Sequence, residues 1–172
     1  METEKEFIER TKKYILWIHE KVVSINNDPV ELRQGSSLDF LIYDALKRTK
    51  NRFSFILLLM KNIAEQHPFI EGNKRTAYTF CKTSLLFGEG KILCLNQEIA
   101  GKFMKDLAKK SEQGKPKNLK SIEIWVSINC VKIPNYNKNH FDLIELRQIL
   151  KNMQKDRAQC IKKYLKEYPF DL

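Results

Sequence analysis

Glycine and proline are scarce, six and five in 172 residues, too few turn-formers for an all-β chain that must reverse every few residues. The four cysteines, Cys81, Cys94, Cys130 and Cys160, stand far apart with no C-x-x-C pair. That spacing encodes neither a zinc framework nor a dithiol redox centre. No stretch approaches the roughly 20 apolar residues a membrane span needs. The N-terminus, METEKEFIERTKKYILW, mixes charges throughout and lacks the apolar run and small-residue cleavage site of a secretory leader. The expectation is a cytoplasmic protein with no membrane partner, its thiols reduced and packed into a core.

What is present is an ordinary globular mixture, 42% apolar and 30% charged. A chain of this size is one domain's worth and can bury a real core. The formal charge of +10 raises nucleic-acid binding, since lysine and arginine displace counterions from phosphates. The excess is interleaved with acids and apolar residues, which is how a lysine-solvated helix face also reads. Nucleic acid is therefore the weaker reading, although the charge does not exclude it. An acidic protein would be drawn to the same surface.

Periodicity makes the chain helical. Phe7, Ile8, Tyr14, Ile15, Ile18, Val22 and Ile25 recur at helical spacing over residues 4–25. Pro29 ends that helix by disfavouring helix in the residue before it. Gly35-Ser36-Ser37 offers a stop and an N-cap for a helix over 38–48. The segment 53–66 is apolar on nearly every side, as a central helix would be. A helix over about 74–87 ends at Gly88-Glu89-Gly90. A short extended piece over 91–95, a helix over 96–111 and a last core helix over 121–130, with Trp125 as a packing residue, complete the body. Residues 134–139 read as a linker. Beyond it Leu143, Leu146, Leu150 and Met153 form a helical stripe. The expected architecture is an all-α helical bundle over 1–133 with a basic helical extension over 134–172.

The chemistry concentrates in His67-Pro68-Phe69-Ile70-Glu71-Gly72-Asn73-Lys74-Arg75-Thr76-Ala77. The next helix starts just after Gly72-Asn73, so its unpaired N–H groups and positive dipole end face this loop. Lys74 and Arg75 add a mobile and a forked cation suited to phosphate oxygens. Glu71 can hold Mg²⁺, which takes one or two protein carboxylates beside substrate phosphates and water. His67 titrates near neutral pH and can accept a proton from an attacking hydroxyl. These are parts for phosphoryl or nucleotidyl transfer.

The string HPFIEGNKR resembles the Fic-domain motif H-P-F-x-(D/E)-G-N-(G/K)-R at every specified position, and the likeness extends over about residues 10–132. It implies a Fic/Doc-type bundle with the active loop between two central helices and a small β-hairpin flap, which the basic break at 48–52 would help form. It implies ATP as co-substrate, Mg²⁺ and a protein substrate bearing a Ser, Thr or Tyr hydroxyl. His67 would be the general base and Glu71 the metal ligand. Gly72 and Asn73 would form the anion-binding turn, Arg75 would grip the phosphates, and Phe69, with Pro68, would support the loop. Lys74 departs from the glycine of adenylyl-transferring members and resembles the "NKRTA" of Doc-type toxins. Doc-like phosphoryl transfer is thus the favoured expectation and AMP transfer (AMPylation) the alternative. A basic nucleic-acid-binding or interaction module with a vestigial loop is the reading from another class. No (S/T)-x-x-x-E-(G/N) self-inhibiting segment occurs, so any inhibitor would be a separate antitoxin chain.

Overall fold

The computed structural model describes residues 2–25, 27–95 and 97–133. The expected extension over 134–172, and Cys160 within it, lie outside the described residues. Those described form six helices and one two-stranded sheet: α1 (Glu4–Ser24), α2 (Leu38–Arg48), α3 (Arg52–Gln66), α4 (Asn73–Glu89), β1 (Lys91–Leu93), α5 (Gln97–Glu112), α6 (Leu119–Ile128) and β2 (Cys130–Lys132).

The helix starts are written in side chains. Thr3 accepts the Glu6 N–H while the Glu6 carboxylate accepts the Thr3 N–H, a reciprocal cap on α1. Ser37 caps α2 through Phe40, Asn51 caps α3 through Ser54, and Asn118 caps α6 through Ser121. Each such cap contributes about 1 kcal/mol.

Helix α3 is the axle of the body. Phe55 through Met60 are buried in unbroken succession, followed by Asn62, Ile63 and Ala64. No amphipathic helix buries six consecutive residues; α3 does so because α2, α4, α5 and α6 all pack against it. Each large apolar side chain so buried contributes about 2 kcal/mol. Helix α1 covers α2 and α4 with Ile15, Ile18, His19 and Val23. Cys81 is fully buried in this core, whereas Cys94 and Cys130 are half-buried; all three are free thiols.

Two expectations are corrected. The last core helix stops at Ile128 rather than 130, because Cys130–Lys132 leaves it to pair antiparallel with Lys91–Leu93, Val131 opposite Ile92. The break at 48–52 holds no strand: Thr49 Oγ1 closes the end of α2 on the Ala45 carbonyl and Asn51 opens α3 two residues later. The extended segment that meets the motif loop comes instead from between α1 and α2. There Leu32 bridges Phe69, the Arg33 N–H reaches the Pro68 carbonyl at 2.8 Å, and the Ile70 N–H reaches the Glu31 carbonyl at 3.0 Å.

Candidate active site

The loop between α3 and α4 is fixed at both ends by left-handed residues. His67, the C-cap of α3, has φ 48° and ψ 57°. For a residue with a side chain this costs about 1–2 kcal/mol, supplied here by the buried helix behind it. Gly72, the N-cap of α4, has φ 73°, and a Cβ there would stand 2.6 Å from Val23 Cγ1 and 3.4 Å from His19 Cε1. Glycine is required on both counts.

Between them the loop is stapled to itself. The Phe69 N–H donates to Asn73 Oδ1 and Asn73 Nδ2 donates back to the Phe69 carbonyl, each at 2.8 Å. The same carbonyl accepts Arg33 Nε at 3.1 Å. The Phe69 ring is wholly buried and stacks on His19 with centroids 3.6 Å apart. His19 Nδ1 meets Thr76 Oγ1 at 3.0 Å, so this histidine supports the loop from beneath. Pro68 is buried as well. With the Asn73 side chain committed in this way, what Asn73 offers an anion is its backbone N–H.

Among the described residues no side chain caps α4. Its first N–H groups and positive dipole end are therefore left without a side-chain acceptor. Glu71 is exposed and makes no ion pair or hydrogen bond among the described residues. Lys74 is half-buried and close enough to act on His67.

His67 has its pKa held below that of an ordinary histidine. Burial is the main cause, the charge of Lys74 adds to it, Glu112 opposes it, and Arg33 contributes in the same sense as Lys74. Glu112 Oε1, at the end of α5, lies 3.5 Å from His67 Nε2. The imidazole is thus neutral at neutral pH and carries a free lone pair, as a general base requires.

The structure brings His67, Lys74 and the open end of α4 together, with Glu71 on the loop's exposed side. Arg75 is placed differently: its guanidinium is paired with Asp28 and reaches the Val22 carbonyl at 3.4 Å, on the α1 side. Arg33, Asp28 and Glu112 are site residues that sequence reasoning missed. None belongs to a periodic stripe or a motif, and each acts only through tertiary contact.

These residues fit Mg²⁺ and a nucleotide triphosphate by donor chemistry. Glu71 is an uncommitted carboxylate, and Lys74 and the α4 amides are uncommitted donors. Neither a search of curated proteins nor one of solved structures returns a match to this chain. A family model does match, over residues 7–85, a span that runs from α1 through the loop and most of α4. Through that segment, which holds every residue of the motif, the chain is similar to the Fic/DOC family.

Proposed function

We propose that this chain transfers the γ-phosphoryl group of ATP to a Ser, Thr or Tyr hydroxyl of another protein. The observation that carries the reading is His67, a histidine kept neutral at a strained left-handed cap beside Lys74 and the uncapped start of α4. Members of the family are transferases that modify other proteins, which supports the coarser part of the reading.

In this reading the target hydroxyl gives its proton to His67 as its oxygen bonds to the γ-phosphorus. The bond to the β,γ-bridging oxygen breaks and ADP leaves. Lys74 and the α4 N–H groups hold the phosphate oxygens, and Arg75 joins them on release from Asp28. Glu71 would hold Mg²⁺, which when bound neutralises charge on the phosphates. Lys74 favours phosphoryl over AMP transfer because an ammonium beside the base marks where transferred phosphate charge would collect. A separate antitoxin chain is the proposed source of inhibition.

The test is intact-mass analysis of lysate proteins incubated with the full chain, ATP and Mg²⁺, beside the His67→Ala variant. An addition of about 80 Da that disappears with His67→Ala is expected. An addition of about 329 Da would replace phosphoryl with AMP transfer. The same additions with His67→Ala would remove His67 from the chemistry.

A further inference from the structure

At the end of α3 opposite His67 lies a concavity. It is a cavity of about 460 Å³ between α1, the α2–α3 turn and the last turns of α4. Phe55 on its wall and His67 are about 18 Å apart by the rise of an ideal helix. It is not part of the motif site.

Its walls are aromatic. Phe7 meets Phe55 edge to face at 5.4 Å, and Tyr14 tilts against Phe80 at 6.2 Å. The Tyr14 hydroxyl already donates to Thr83 Oγ1 at 2.7 Å, so the ring enters the lining with its polar end satisfied. Its rim is basic. Arg10 is held in a two-point pair by Glu2. Arg52 and Lys50 have no carboxylate partner among the described residues, and Arg52 donates to the Gly88 carbonyl at 3.3 Å. Among the described residues no aspartate or glutamate lines the cavity. The first residues of α3 do, and their positive dipole end adds to the two cations.

Ring-shaped walls under an unneutralised cationic rim select a molecule with a planar ring at one end and an anion at the other. Rings pack against the phenyl edges and faces, while the anion meets the Lys50 and Arg52 heads. The volume falls within the roughly 300–1,000 Å³ of small-molecule sites. We infer that this cavity is a binding site for a small planar aromatic anion, separate from the motif loop. The anion is a phosphate or a carboxylate.

The experiment titrates the full chain with AMP, with indole-3-carboxylate, with inorganic phosphate and with indole. Calorimetry gives affinity and backbone amide shifts give location. AMP, indole-3-carboxylate or both should move the amides of Arg52, Phe55 and Gly88; which of them binds names the anion. Phosphate without a ring and indole without a charge should bind at least about tenfold more weakly. Lys50→Ala and Arg52→Ala, both at exposed positions, should each weaken the ringed anion about tenfold. Shifts confined to Gly72 through Thr76, no shifts at millimolar ligand, or affinity untouched by both variants would overturn the inference.

Discussion

Asp28 holds the guanidinium of Arg75 through one Nη while the other reaches the Val22 carbonyl at 3.4 Å. Both partners belong to the end of α1 and the segment after it, so the motif arginine is bound by its own chain. The side chains are 27% and 42% exposed, and a pair so wetted contributes about 0–1 kcal/mol. Phosphate oxygens are strong competitors for the same fork. Asp28→Ala should therefore tighten ATP binding about threefold at low salt, and Arg75→Ala should weaken it about tenfold. Titration calorimetry reads both, and an unchanged affinity in Asp28→Ala would mean that the carboxylate does not compete.

The acid limb of the pH–rate profile should report His67 and lie below that of a free histidine. Lys74 lowers its pKa, so Lys74→Gln should move the limb to higher pH. Glu112 raises it, so Glu112→Gln should move the limb to lower pH. Each displacement should be small, since these charges are screened by water and salt. Shifts of the same sign in the two variants would break the assignment.

Gly72→Ala should destabilise the fold by about 2–4 kcal/mol. Part is the left-handed backbone and part the overlap with Val23 Cγ1. Adding Val23→Ala should relieve the second part and leave the first, so the two changes should couple favourably in a urea-unfolding cycle. Strict additivity would show that Val23 yields without cost.

Stability should fall as the solution becomes mildly acidic. His19 is fully buried and its Nε2 closes no hydrogen bond among the described residues. Its pKa is lowered first by burial and then by Arg75, with the Pro29 backbone pulling the other way. The unfolded chain binds a proton at about pH 6.5 and the folded chain only lower, so stability is full above that value and is lost as pH falls through this window. Urea midpoints of a His67→Ala background should fall from pH 7.5 to 5.5. With His19→Gln added they should start lower and change less. Parallel losses would place the titrating group elsewhere.

Much of the body is legible in local signals, because those signals are the physical cause. Ser37 predicts the start of α2 and caps it, and Gly90 ends α4 with φ 60°. The apolar run in α3 predicts a central helix, and burial on every side is its consequence. The motif residues are consecutive, so one loop gathers them. The β1–β2 pairing is not legible: its partners lie far apart in sequence, and three residues are too few to show alternation. The same holds for Arg33 on the Phe69 carbonyl and Asp28 on Arg75. A charged residue in a loop shows nothing of the carbonyl or cation it will meet.

The two left-handed residues that bracket the loop divide it into letters that cannot change and letters that can. Pro68, Phe69 and Asn73 are buried and interlocked, whereas Ile70 and Glu71 between them face solvent. A lineage that exchanged the residue at 70 would leave the staple, the core and His67 untouched. Under the proposed function, drift toward a new target can therefore proceed at the lip of the motif loop without passing through unstable intermediates.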